Sequence, residues 1–316
     1  SGILCRVDGR ENELRNKEAA AAAALGVAVV ENADGAKLTS YRGGGRIAKL
    51  YVPDSVKVFG ALYSALVQSS GDEVFVLGGG SDTLVDDGVV QRPVILTRGM
   101  RRVAVCEDGT VYAECGATLG EVAATAARAG YGGLEFLAGV PATVGGALAM
   151  NAGAFGAEIA DYVAEVYILN PYSGDMRRRE RGEISFGHRK GVRGTVAAAR
   201  FSLPRMSGEE IAERRRFFLS ERRKKQPAAP SLGSVFTGEA GAAGRYIDAA
   251  GLKGVRAGGA QISPVHANFI VNVGGGSAGD YRFLARLAKE TVKDLYGICL
   301  TPEVVLLGDG RDGVAD

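Results

Sequence analysis

The sequence is poor in residues that bind transition metals, since its 316 residues include only two histidines and four cysteines. Cys5, Cys106, Cys115 and Cys299 form no C-x-x-C pair. A zinc site made of cysteine and histidine therefore has too few ligands at usable spacing. We expect no metal site and a reducing, cytoplasmic setting.

Long hydrophobic runs and a large net charge are also missing. The longest apolar run, Ala19 to Val30, has 12 residues, whereas a helix that spans a membrane needs about 20. We therefore predict no membrane insertion. Lysine and arginine number 38 against 36 acidic residues, which gives a net charge of +2. This balance provides no general attraction to nucleic acid or a membrane surface, so any anion must be bound locally.

Glycine is abundant, with 47 residues and no collagen-like or low-complexity repeat. Helical and strand patterns divide the chain into three units, which cover residues 1–70, 71–205 and 206–316. The charged helix Glu209–Lys225 is predicted to connect the second and third units. In the third unit, Ser277 is a plausible N-cap for a helix. Its apolar stripe consists of Leu284, Leu287, Ala288, Val292 and Leu295.

Two glycine-rich segments are candidates for binding a cofactor. In the first, an apolar strand ends in Gly78-Gly79-Gly80-Ser81, which can present backbone N–H groups to a pyrophosphate, or form only a tight turn. The second segment, residues 139–156, has no charge and is too glycine-rich for a stable interior helix. It can line a large apolar cofactor or pack as a turn between core elements. Neither a P-loop nor a well-placed Rossmann fingerprint is present.

Several motifs together resemble one known family, the UDP-N-acetylenolpyruvoylglucosamine reductases. The resemblance runs from about Thr39 to Gly308 and is closer to the family's shorter form, which lacks an extra loop. The co-linear motifs are Leu77-Gly78-Gly79-Gly80-Ser81, the block from Gly133 to Gly156, Gly233-Ser234-Val235-Phe236, Ala250-Gly251-Leu252-Lys253-Gly254, His266-Ala267-Asn268-Phe269-Ile270-Val271-Asn272 and Pro302-Glu303-Val304.

The resemblance implies an α+β protein with a vanillyl-alcohol-oxidase-like FAD-binding fold in two units, 1–70 and 71–205. A separate α+β substrate-binding domain, 206–316, follows. It also implies an oxidoreductase of peptidoglycan precursor synthesis, and hence of cell wall biogenesis, cell shape and cell division. NADPH would reduce non-covalently bound FAD. The reduced flavin would then convert UDP-N-acetylglucosamine enolpyruvate into UDP-N-acetylmuramate.

The resemblance assigns site residues one by one. The catalytic residues are Arg189, Ser234 and Glu303. Lys225, Gln226 and His266 are expected to bind the substrate. The FAD-binding residues are Gly78, Gly79, Gly80, Ser81, Pro141, Thr143, Gly145, Gly146, Ala149, Asn151, Gly153 and Gly156.

The proposed reaction explains why these residue types suit the catalytic positions. Hydride arriving at the enol ether places negative charge on the adjacent carbon and its carboxylate, which a guanidinium such as Arg189 can stabilise. Ser234 can give its proton to the basic carbanion. Glu303 can stabilise the intermediate by hydrogen bonding only when protonated. Without the resemblance, these residues would more simply be a surface arginine, a turn serine and a solvated glutamate.

The chain departs from the family pattern at several positions. Asp82 replaces an asparagine, His188 a tyrosine, Ala142 a glycine, and Thr237-Gly238 a Lys-Asn pair associated with substrate. Two alternatives therefore stay open. One is another FAD oxidoreductase on the same scaffold, and the other is a non-catalytic paralogue that binds nucleotide sugars.

Overall fold

A computed structural model describes residues 16–70, 74–237, 242–310 and 313–315. Gly238 and Cys5 lie outside these ranges. Residues 16–24 are helical. The other helices are α1 (Gly35–Leu38), α2 (Val56–Ser70), α3 (Leu119–Arg128), α4 (Val144–Ala149), α5 (Gly208–Lys225), α6 (Ala242–Ala249) and α7 (Ala278–Tyr296).

The strands are short and distributed along the described chain. They are β1 (Ala28–Asp34), β2 (Arg46–Val52), β3 (Phe75–Leu77), β4 (Thr83–Val85), β5 (Val89–Val90), β6 (Val94–Leu96), β7 (Val103–Val105), β8 (Val111–Glu114), β9 (Gly153–Ala154), β10 (Ala157–Glu158), β11 (Val163–Leu169), β12 (Met176–Glu180), β13 (Val196–Phe201), β14 (Ser231–Ser234), β15 (Phe236–Thr237), β16 (Arg256–Ala257), β17 (Ala260–Ile262), β18 (Phe269–Asn272), β19 (Thr301–Pro302) and β20 (Val305–Leu307).

The first half of the chain forms two sheets. One has the order β1-β2-β6-β3, with β5 also on β2, and its β2, β6 and β3 strands run parallel. The other is antiparallel, in the order β12-β11-β13-β8-β7. Helix α2 buries Phe59, Leu62 and Leu66 in the same core as the inner residues of β13, because apolar side chains at helical spacing share one face.

The glycine-rich segment differs from the sequence-based expectation, because part of it is helical. Val144 to Ala149 form helix α4 although they include Gly145 and Gly146. A Cβ at Gly145 would lie 3.1 Å from the Cβ of Cys115, so close packing against β8 favours glycine at this position. Tertiary packing thus outweighs the low helix propensity of glycine.

The last part of the chain has its own core, between the sheet β14-β18-β17-β16 and helices α6 and α7. Ser277 caps α7 in a reciprocal capping box with Asp280, as predicted for the N-cap. Leu284, Ala288 and Val292 are buried, as their spacing predicts, whereas Leu295 is 59% exposed near the end of the helix. The α+β class is confirmed.

Contacts between distant segments bring the two halves together. Strand β4 pairs in parallel with β20, whereas the pair of β15 and β19 lies within the C-terminal part. The hydroxyl of Ser40 donates to the carbonyl of Ser231 at 2.6 Å. The amide of Asn272 donates to the carbonyl of Tyr41 at 3.1 Å. The three-unit division stays a prediction. None of the described helices is long and apolar enough to span a membrane.

Candidate active site

A cavity of about 760 Å³ lies where the glycine loop, helix α4 and the C-terminal strands meet. This volume is in the range of sites for cofactors and small molecules. Its wall contains most of the residues that the sequence singles out, namely Gly78, Gly79, Gly80, Ser81, Pro141, Gly146, Ala149, Gly153, Arg189, Gln226, Ser234 and Glu303.

The glycine loop, Gly78–Ser81, is held by an arginine that sequence reasoning missed. Arg98 donates to the carbonyls of Leu38 (2.6 Å), Gly79 (2.8 Å) and Gly78 (3.3 Å). Gly80 has φ +61°, and a Cβ there would overlap the Leu38 carbonyl. Within the described ranges, the N–H groups of Gly79, Gly80 and Ser81 donate to no protein acceptor. The loop can therefore offer donors to an anionic ligand.

A buried hydroxyl faces this loop from the second glycine-rich segment. Thr143 is buried at the start of α4, where its hydroxyl makes no capping bond. Its Oγ1 has no hydrogen-bond partner in the part of the chain that the structure describes. A Cβ added to Gly78 would come within 2.5 Å of that oxygen. Since buried hydroxyls are normally paired, this orphaned donor fits a site completed by a bound group.

Four residues predicted to bind FAD lie outside the cavity wall, namely Thr143, described above, and Asn151, Gly145 and Gly156. Asn151 is fully buried, and its side-chain amide donates to Glu158 (2.6 Å) and to the carbonyl of Gly187 (3.0 Å). Gly145 packs against β8, as described above, and Gly156 occupies the turn between β9 and β10 with φ +83°. Asn151 thus anchors the turn that carries Arg189 instead of facing the cavity.

The three predicted catalytic residues meet at one end of the cavity. The Arg189 Nε lies 3.3 Å from Glu303 Oε1, and its Nη1 reaches the Gly153 carbonyl at 3.5 Å. The backbone N–H of Glu303 donates to the carbonyl of Val235 at 2.8 Å, which places the backbone of Glu303 beside the residue after Ser234. The site therefore combines a cation, a carboxyl and a hydroxyl.

The backbone around Ser234 is fixed by Asn268, which is buried. The N–H of Val235 donates to the Asn268 carbonyl at 2.8 Å. The side chain of Asn268 accepts from the Phe236 N–H at 3.1 Å and donates to the Phe236 carbonyl at 2.9 Å. A buried amide that satisfies both groups of one residue holds the strand in register. Ser234 therefore lines the cavity on a backbone segment that is held in place by hydrogen bonds.

Burial raises the pKa of both carboxyl groups of the site. Burial raises the pKa of Glu303, and Arg189 and His188 oppose this shift. Burial and the nearby charge of Glu303 raise the pKa of Asp82, also in the cavity wall, to about 8, against the opposing effect of Arg189. A carboxylic acid that keeps its proton near neutral pH can donate a hydrogen bond.

The three residues predicted to bind substrate have different surroundings. Gln226 lines the cavity and accepts from Arg222 Nη1 at 3.1 Å. The Lys225 ammonium instead lies 3.3 Å from Glu221, outside the wall. The ring of His266 packs edge-on against Phe269, and its Nδ1 accepts from a backbone N–H; burial lowers its pKa. The roles of Lys225 and His266 stay predictions.

Arg222 is a second cation that sequence reasoning passed over at this site. It donates to the carbonyls of Ala138 (3.0 Å) and Phe136 (3.3 Å), and its guanidinium lies 5.6 Å from the ring centre of Phe155. Its spacing from Gln226 was a usable signal, because residues four apart share one face of a helix. For Arg98, the sequence holds no comparable local signal, since its partners are remote carbonyls.

Comparison with known proteins finds two families in this chain. Residues 61–178 match the FAD binding domain family. Residues 225–307 match the C-terminal domain of UDP-N-acetylenolpyruvoylglucosamine reductase. The expected FAD-binding fold of the vanillyl-alcohol-oxidase type, followed by a separate C-terminal domain, is confirmed.

Full-length relatives agree with these matches. A UDP-N-acetylenolpyruvoylglucosamine reductase from Alkalilimnicola ehrlichii is 38% identical over 281 residues, which is 87% of this chain and 93% of the relative. One from Lactobacillus johnsonii is 37% identical over 294 residues, 91% of this chain and 97% of the relative. The crystal structure of the reductase (MurB) from Thermus caldophilus has a TM-score of 0.73 at 33% identity and covers 89% of this chain and 98% of that chain. Because the similarity extends over nearly the whole length, the chain belongs to the UDP-N-acetylenolpyruvoylglucosamine reductase family.

Proposed function

We propose that this protein is an NADPH-dependent flavoenzyme that reduces UDP-N-acetylglucosamine enolpyruvate to UDP-N-acetylmuramate. The observation that carries the proposal is one cavity that joins the donor-rich glycine loop to Arg189, Ser234 and Glu303. Such a product is a precursor of peptidoglycan, so the proposal extends to cell wall biogenesis, cell shape and cell division. It places the protein in the cytoplasm.

The residues present fit FAD as a non-covalently bound cofactor. The free amides of the glycine loop and the unpaired hydroxyl of Thr143 would hold its pyrophosphate region, and the apolar residues of the second segment would pack against its rings. Bound FAD would supply the redox chemistry, taking hydride from NADPH and delivering it to the enolpyruvyl group. Among the described residues, those of the cavity wall include no cysteine or histidine that could form a covalent link.

Arg189, Ser234 and Glu303 supply the polar chemistry of the second half of the reaction. The guanidinium of Arg189 faces the negative charge that develops on the substrate. The hydroxyl of Ser234 donates the proton that completes the reduction. The protonated carboxyl of Glu303 donates a hydrogen bond to the same intermediate, in keeping with its raised pKa.

Recognition of the two anionic substrates involves the end of α5. Gln226 and Arg222 lie in the cavity wall, and Arg222 carries the positive charge that a diphosphate requires. The family's Lys-Asn pair is replaced here by Thr237 and Gly238. The Thr237 hydroxyl donates to the carbonyl of Thr301 at 3.3 Å. We therefore propose Arg222 as the cation that compensates for the missing lysine.

The proposed function is tested by a flavin spectrum of the purified protein, followed by anaerobic additions. NADPH should bleach the absorbance of the flavin, and UDP-N-acetylglucosamine enolpyruvate should restore it. Bleaching without recovery would point to another FAD oxidoreductase on this scaffold. A protein that binds no FAD, even when FAD is added, would contradict the cofactor assignment.

Replacing Thr143 with valine tests how the cofactor is held. We expect FAD affinity to fall by roughly 10- to 100-fold, because a hydrogen bond to a charged group contributes about 1.5–3 kcal/mol. The unfolding free energy of the FAD-free protein should stay the same or rise by about 1 kcal/mol, since the hydroxyl is buried and unpaired. Titration calorimetry and urea denaturation measure the two quantities. A loss of stability without a loss of affinity would make the hydroxyl structural.

A further inference from the structure

A second carboxyl group, that of Asp82, lies in the wall of the cavity that contains Glu303. The pairing of β4 with β20 explains this placement. Thr83 is the partner of Val305, and the N–H of Val305 donates to the Asp82 carbonyl at 3.0 Å. Because the two strands are parallel, Asp82 and Glu303 both precede the paired residues and lie at the same end of the pair.

The charge of Arg189 acts on both carboxyl groups. Arg189 is 3.3 Å from Glu303, and its charge also acts on Asp82. If both carboxyls were ionised, this end of the cavity would carry more negative than positive charge. Such an arrangement is costly in a desolvated site, and closely spaced carboxyl groups relieve it by retaining one proton.

A buried tyrosine interacts electrostatically with both carboxyl groups. The Tyr281 hydroxyl on α7 is fully buried and has no hydrogen-bond partner among the described residues. Burial first, and then the charges of Asp82, Tyr41 and Glu303, raise its pKa. Tyr281 therefore stays neutral and adds no negative charge to this end. His188, which acts on Glu303, is the further titratable group here.

We propose that Asp82 is a positioning residue that shares one proton with Glu303 and so keeps an acid beside Arg189 at neutral pH. The inference rests on the proposed function only in using Glu303 as the acid of that reaction. Arg189 alone would favour the ionised form of Glu303. Burial and the charge of an ionised Glu303 raise the pKa of Asp82 to about 8, so the pair still holds one proton after Glu303 ionises.

Asp82→Asn tests the proposal, because asparagine keeps the shape of the side chain and removes its titration. In the variant, the alkaline limb of the pH profile for flavin reoxidation by the enolpyruvyl substrate should shift to lower pH. We expect a shift of about one pH unit or more relative to the parent. The sign follows because the parent pair loses its last proton near the raised pKa of Asp82, whereas Glu303 without a second carboxyl loses its proton at lower pH under the influence of Arg189. Reduction of the flavin by NADPH should keep its pH dependence. The control is Asp86→Asn, in the turn after β4, which should leave the profile in place.

A second measurement does not depend on turnover. Infrared spectra of the FAD-loaded protein labelled with ¹³C-aspartate should contain a protonated carboxyl band at pH 7 that is absent from Asp82→Asn. An equal loss of rate at every pH, or the same profile as the parent, would overturn the proposal, as would the absence of this band. If the parent fails to turn over the enolpyruvyl substrate, the proposed function fails, and the infrared band alone then decides whether the proton is shared.

Discussion

Replacing Ser234 with alanine should leave the reduction of the flavin by NADPH nearly unchanged and slow its reoxidation by the enolpyruvyl substrate by roughly 10²–10⁴-fold. In the proposed mechanism, the hydroxyl of Ser234 acts only after hydride has reached the substrate. Without this proton donor, the reduced substrate would lose its hydride again before it is protonated. Stopped-flow absorbance measures each half-reaction separately.

The control for this variant is Ser231→Ala, at the start of the same strand. Its backbone carbonyl, which accepts from Ser40, is kept by the substitution. We expect both half-reactions of the control within a few fold of the parent. If Ser234→Ala instead slows flavin reduction as strongly as reoxidation, the serine holds the structure or the cofactor and is not the proton donor.

The variant Arg189→Asn should slow reoxidation of the flavin by roughly 10²–10³-fold, the usual effect of removing one preorganised donor from a developing negative charge. Asparagine is the suitable replacement because Arg189 has φ +54°, a left-handed conformation that asparagine tolerates. The folded backbone should therefore survive the change. Lys190→Asn, one residue further along the same turn, is the matched control and should have little effect.

The same variant has a distinct pH signature. Arg189 lowers the pKa of Glu303, so its removal should raise that pKa. The proposed mechanism uses the protonated form of Glu303, so the alkaline limb of the remaining activity should move to higher pH. This shift is opposite to the one expected for Asp82→Asn. If the alkaline limb moves to lower pH or stays in place, Arg189 does not control the titration of Glu303.

The sequence could place the glycine loop and the catalytic trio, because their motifs occur in the family order. Local periodicity could not group the catalytic trio, because Arg189, Ser234 and Glu303 come from three separate segments. The structure brings them into one cavity through contacts that no local pattern contains, such as the Glu303–Val235 backbone bond. Their catalytic roles stay predictions.

Some residues were placed less well because their surroundings are set by distant partners. Asn151 lies in the right segment, yet its amide is used by Glu158 and Gly187. The choice of Lys225 on α5 overlooked helix geometry, because Arg222 and Gln226 share the face that lines the cavity. Helix α4 was not predicted, because glycine has a low helix propensity. Close packing of its glycines against neighbouring residues outweighs that propensity in the folded chain.

The pairing of β4 with β20 has a consequence for local opening of the protein. Strand β4 comes shortly after the glycine loop in the chain, and strand β20 comes shortly after Glu303. Segments joined in this way exchange their amide protons as one cooperative unit. A fluctuation that separates the two strands would therefore release Glu303 and loosen the cofactor loop in the same event. Ligands at either end of the cavity should slow hydrogen exchange at the other.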